Sequence, residues 1–138
     1  MARNLTTFAF ETHGTGLYEI AGEVAAWLGD AGVADGVLTL FCQHTSAGLL
    51  ITENASSAVH RDLLRWLGGV APEGEGYEHS AEGPDDMPAH LKAVLTGSSV
   101  TVPVNGGRMM LGTWQGIYLA EHRRRPHTRN VVAHFADD

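Results

Sequence analysis

A chain of 138 residues with a formal charge of −7 suits one domain, residues 1–138, with a real core. It is too short for an eight-stranded α/β barrel, and its acidic balance argues against general nucleic-acid binding while leaving room for a small anionic ligand. Cys42 is the only cysteine, which excludes an internal disulfide and fits a reducing compartment.

The opening MARNLTTFAFETHG lacks the apolar stretch of a signal peptide, and no segment approaches about 18 apolar residues. The expectation is a cytoplasmic protein with no membrane partner. Residues 4–11 and 16–20 read as strands joined at the Gly14/Gly16 turn. Residues 20–31 read as a helix with Ile20, Val24, Trp27 and Leu28 on one face and Gly32 as its stop. Strands are expected at 36–44 and 47–53, then a helix at 57–68 capped by Ser56 or Ser57. Residues 69–84, rich in Gly, Pro and Glu, read as an exposed loop.

The segment DDMPAHLKAVLTG, residues 85–97, is a short helix by its punctuation. Asp85 or Asp86 can cap the first turn, Pro88 is tolerated there, and Gly97 suits the stop. Next come SSVTVPV, an Asn105-Gly106-Gly107 turn that predicts a hairpin, a long strand over 110–122, and a last strand through NVVAHF. With no βαβ rhythm, the pattern is α+β: mostly antiparallel sheets in a sandwich-like arrangement with about three helices.

Candidate chemistry sits where polar groups interrupt this patterning. Asp86 and His90, four apart, share a helical face beside Met87, Leu91 and Val94, as a metal half-site or an oriented acid–base pair would. His44 ends the apolar row Leu38, Leu40, Cys42, and Thr45-Ser46 follow with hydroxyls suited to phosphate or to local backbone. His79 lies on a loop long enough to fold over the helix start. If they converge, within one chain or across a subunit boundary, His44, His79 and His90 would form a zinc-type ligand set with an open position, with magnesium the alternative for a diphosphate substrate. Taken singly, each also reads as a structural or solvated histidine.

In strand 110–122, Gln115 and Glu121 lie in the row Leu111, Thr113, Gln115, Ile117, Leu119, Glu121. A carboxylate ending an inward row needs a cationic or metallic partner. Gly112 and Gly116 flank Trp114, which suggests close approach of another backbone or side chain across that face. The plainer alternative is a packed tryptophan and an edge-of-sheet Gln115. Arg123-Arg124-Arg125 reads as a solvated charge run, and Arg129 as the better candidate for a bidentate grip on phosphate.

Three stretches in order, QHTSAGLLITENA, YEHSAEGPDDMPAHLKAVLTG and GGRMMLGTWQGIYLAEHR, resemble the YjbQ-like family, often called the secondary thiamine-phosphate synthase family. The resemblance runs nearly end to end. It implies a homotrimer with a twisted, sandwich-like sheet arrangement, and site residues His44, Thr45, Asn54, His79, Asp86, His90, Gln115 and Glu121. The chain departs in having Ser56 where many members have aspartate, Asp-Asp-Met-Pro in place of a Gly-Asn form, and the ending EHRRRPHTR.

Three functions are compatible with these residues. The first is a metal-assisted transferase joining a pyrimidine diphosphate to a thiazole phosphate, with Glu121, Asp86 and Gln115 as catalytic groups. There Thr45, Ser46, Asn54 and Arg129 would bind the phosphorylated metabolite. The others are a metal-dependent phosphate-ester hydrolase and a non-enzymatic trimeric module that binds a metal or an anionic metabolite.

Overall fold

The structure, a computed structural model, describes residues 4–74 and 76–138. Residues 1–3, within the segment read as carrying no leader, and Glu75, within the expected loop, lie outside the described residues. In chain order the elements are β1 (Leu5–Thr12), β2 (Gly16–Glu19), α1 (Ala21–Ala31), β3 (Gly36–Cys42), β4 (Ala47–Glu53), α2 (Ser57–Val70), α3 (Asp86–Thr96), β5 (Ser99–Asn105), β6 (Arg108–Met109), β7 (Gln115–Glu121) and β8 (His127–Asp137).

The strands form two sheets, β1-β8-β3-β5-β6 and β2-β7-β4, and every pairing is antiparallel. This is the expected α+β class. The core lies between the sheets: Leu38, Leu40, Val102, Val131 and Phe135 come from the larger, and Leu49, Ile117 and Leu119 from the smaller. Helix α1 closes it with Val24 and Leu28 and ends at Gly32, whose φ of 67° is the left-handed stop the sequence predicts. The period-2 reading of β3 holds, with Leu38, Leu40 and Cys42 buried.

Strand β7 is shorter than expected. The hairpin turn puts Gly106 and Gly107 at φ of 58° and 78°, but the return strand β6 covers only two residues. Residues 111–114 then cross from one sheet to the other, and Trp114 is 64% exposed rather than packed. As the middle strand of three, β7 is buried on both faces: Ile117, Leu119 and Glu121 on one, Tyr118 and Ala120 on the other.

Helix α3 is the element that places the site. Neither Ser56 nor Asp85 makes the expected side-chain cap, so α3 is positioned from outside its own sequence. Its C-terminal end lies on β4 at Gly48, where the Leu49 N–H donates to the Gly97 carbonyl at 3.0 Å. A Cβ at Gly48 would overlap that carbonyl and the Thr96 hydroxyl. Glycine there lets the helix sit close enough to bring His90 to the β3–β4 turn.

Candidate functional site

Three side chains converge at the start of α3. Oδ2 of Asp86 lies 2.7 Å from Nε2 of His79 and 3.2 Å from Nε2 of His90. One donor atom from each residue lies within 4.8 Å of the other two, and the two imidazole centroids are 5.3 Å apart. Asp86 is buried, His90 is partly exposed, and the side chain of His79 is 48% exposed on the loop above. Their spacing explains the meeting: Asp86 and His90 share a face of α3, and the loop returns His79 over the first turn.

The contact with Thr45 fixes which nitrogen of His90 carries a proton. Its Nδ1 lies 2.8 Å from the Thr45 carbonyl, which can only accept, so Nδ1 carries the ring proton. The neutral ring then presents a bare lone pair at Nε2 to a carboxylate oxygen. Two acceptors at that distance require a cation between them or a second proton on the ring. A histidine whose Nδ1–H is held by a backbone carbonyl is oriented as metal-binding histidines usually are. Burial raises the Asp86 carboxyl, but the His79 hydrogen bond and the Arg123 guanidinium outweigh it and hold it below the usual range.

Within the chain, the expectation for His44 is corrected: it does not join this group, because its Nε2 accepts the backbone N–H of Asn130 at 2.7 Å. That lone pair is engaged and the neutral ring keeps its proton on Nδ1, so neither nitrogen is offered to a metal in this arrangement. Burial, with the charge of Arg129 next, lowers its pKa and keeps the ring neutral. The side chains that meet within the chain are His79, Asp86 and His90, with a carboxylate where a third histidine is expected from the sequence.

The buried carboxylate Glu121 is also assigned differently. Its Oε1 accepts from Thr12 Oγ1 and from Arg129 Nε, each at 2.7 Å, while Oε2 accepts from Arg129 Nη2 and the Arg123 N–H. Glu121 is 0% exposed and Arg129 3%. Arg129 also donates to the Ser46 carbonyl and to Ser46 Oγ at 3.0 Å. The expected phosphate grip of Arg129 and Ser46 and the catalytic role of Glu121 give way to an internal ion pair that ties β7, β8 and the β3–β4 turn together. Thr45 serves the site through its carbonyl rather than its hydroxyl.

Asn54 and Gln115 lie at the other end of β7 from Glu121, six residues or roughly 20 Å along the strand. Asn54 Nδ2 donates to the carbonyls of Thr113 and Gln115, and Gln115 Oε1 accepts the Gly112 N–H at 2.7 Å. Within the chain both brace the crossing segment and neither reaches the histidines.

The charge run hid a largely buried side chain that reaches this cluster. Arg123 Nη1 donates to Asp86 Oδ1 at 2.6 Å, its Nε to Asp85 Oδ2 at 3.1 Å, and its Nη2 to the Glu82 carbonyl at 3.0 Å. Asp85 also accepts the Arg124 N–H at 2.9 Å and is held ionised against its burial. The signal in the sequence was the Asp85-Asp86 doublet, since adjacent carboxylates near a helix start need a counter-ion.

Known proteins place this chain. A sequence model of the family described as UPF0047 protein YjbQ-like matches residues 6–138. UPF0047 protein sll1880 of Synechocystis is 44% identical over 128 residues, 92% of this chain and 87% of that protein. The YjbQ protein of Escherichia coli O157:H7 is 39% identical over 128 residues, 92% and 93% of the two chains. A crystal structure from Clostridium acetobutylicum, described as an uncharacterized conserved protein of the yjbq/upf0047 family, superposes with a TM-score of 0.88 at 36% identity, covering 95% of this chain and 99% of that one. The conserved hypothetical protein TT1486 of Thermus thermophilus gives a TM-score of 0.86 at 33% identity and the same coverage. The chain belongs to the YjbQ-like UPF0047 family.

Proposed function

We propose that this chain is a metal-dependent enzyme acting on small phosphorylated metabolites, with its centre at His79, Asp86 and His90. The orientation of His90 carries the reading: the Thr45 carbonyl accepts from Nδ1 and turns Nε2 toward Asp86. Two imidazoles and one carboxylate oxygen are a donor set that suits zinc better than magnesium, which favours oxygen ligands. A divalent metal bound there would polarise a phosphoryl oxygen and offset the charge of a leaving group.

The chain's own groups favour such a pairing. With neutral histidines, Asp85, Asp86 and Arg123 leave one net negative charge at the centre, which attracts a dication. The occupied site would carry one net positive charge, suited to an anion. A cavity of about 350 Å³ opens beside His79, with Tyr77, Ser80, Pro84 and Met87 on its walls and room for the body of a small metabolite.

By resemblance, the first reaction to test is thiamine-phosphate formation from a pyrimidine diphosphate and a thiazole phosphate. One observation favours phosphate-ester hydrolysis instead. Arg129, the expected second phosphate holder, is engaged by Glu121 and Ser46, and hydrolysis needs only one anion at the metal. Zinc-loaded protein should release pyrophosphate from the substrate pair or phosphate from simple esters, and His90→Ala should abolish either. Activity unchanged in His90→Ala, or none in the loaded wild type, would overturn the proposal and favour a binding module.

We also propose the homotrimer that the resemblance implies. Exposed apolar side chains support it, notably Trp66, Val94 and Leu95 on α2 and α3, and Trp114. Light scattering at micromolar concentration should give three times the chain mass; a monomer mass would refute it.

A further inference from the structure

We propose that Arg123 is the positioning residue of this centre, holding one oxygen of Asp86 so that only the other is presented to a metal. The inference rests on the metal reading above and extends it to a residue outside the ligand set.

A free carboxylate can offer a metal one oxygen or both, and the choice changes how many positions remain for substrate. Here the two oxygens of Asp86 have separate partners. Oδ2 faces His79 and His90, while Oδ1 receives a charged hydrogen bond from Arg123 Nη1 at 2.6 Å. Rotating Asp86 to present both oxygens would break that bond in a setting where Asp86 is 2% exposed.

Arg123 is itself fixed. Its Nε bonds Asp85 and its Nη2 bonds the Glu82 carbonyl, so three of its donors engage three successive parts of the loop and helix start. Its side chain is 12% exposed, and its own N–H donates to the buried Glu121 at 3.1 Å. The end of β7 therefore sets the carboxylate of α3, and the planar guanidinium is what spans both aspartates. Lysine at this position keeps the charge but lacks the fork. Arg123→Lys thus separates positioning from simple charge balance.

The test compares zinc affinity, by chelator competition, and the visible spectrum of the cobalt-substituted protein. Wild type, Arg123→Gln, Arg123→Lys and His90→Ala are measured, with folding checked by circular dichroism. Both Arg123 variants should bind zinc more weakly by roughly 10- to 100-fold, as loss of an outer partner of a metal ligand does. Their cobalt bands should weaken as the freed carboxylate adds its second oxygen. Arg123→Lys should still fold, as its circular dichroism would show, and still carry the metal defect. Wild-type affinity and an unchanged cobalt spectrum in folded Arg123→Lys would overturn the positioning role while leaving the metal centre standing. Zinc binding that is absent in wild type, or indifferent to His90→Ala, would remove the metal reading and this inference with it.

Discussion

Nε2 of His90 and Oδ2 of Asp86 face each other at 3.2 Å with no proton between them while His90 is neutral, because the ring's one proton is directed at the Thr45 carbonyl. That relationship leaves two states open to the start of α3. A proton would turn the pair into an ordinary ion pair, and a dication would turn it into a metal centre with His79 as the third ligand. The bound carbonyl belongs to the β3–β4 turn, so the site depends on how α3 sits on β4.

That dependence runs through Gly48. Gly48→Ala should destabilise the protein by about 2 kcal/mol, because the new Cβ has no room against the backbone of Gly97. It should also weaken metal binding by shifting His90 from Thr45, although Gly48 touches no proposed ligand. Chemical denaturation and zinc titration of the variant measure the two effects. Wild-type stability would show that α3 has slack on β4.

Glu121 and Arg129 form the buried ion pair of the fold. Removing one partner, by Glu121→Ala or Arg129→Met, should cost about 3–5 kcal/mol, because the other charge is left without its counter-ion. Denaturant melts of the two single variants and the double variant form a cycle in which the double loss is well below the sum. Additive, small losses would return Glu121 to the list of catalytic candidates.

His122 supplies a pH dependence. It is 2% exposed, its Nε2 lies 3.2 Å from Thr96 Oγ1, and Nδ1 is buried without a partner among the described residues. Thr96 gives its own proton to the Lys92 carbonyl, so His122 donates from Nε2 and Nδ1 is a bare acceptor. Burial, then the charge of Lys92, lowers its pKa from 6.5 to about 4. Between those values the unfolded chain binds the proton and the folded chain does not, so stability falls as pH drops from about 6.5 toward 4, by about 3 kcal/mol at most. His122→Leu should flatten that part of the curve; an unchanged slope would assign the acid sensitivity to other groups.

Much of the scaffold was legible because it is local. Alternation identified the buried row Leu38, Leu40, Cys42, the glycine stop fixed the end of α1, and the four-residue spacing of Asp86 and His90 put them on one face. What could not be read depends on pairings far along the chain. His44 is held by Asn130, which the β3–β8 register brings alongside, and no spacing near His44 announces it. Arg123 looked like part of a solvated run because its partners lie 37 and 38 residues away, joined to it only by the fold. Residues 111–114 continue an apolar run and pass for strand, yet the chain there is changing sheets.

The central claim is that His79, Asp86 and His90 bind one divalent metal per chain. Elemental analysis of untagged protein after zinc loading and gel filtration tests it most directly, with His90→Ala and Asp86→Asn carried in parallel. The account predicts about one zinc per wild-type chain and its loss from both variants, which keep their folded circular dichroism. A wild-type protein that retains no zinc, or variants that retain as much as wild type, would contradict it.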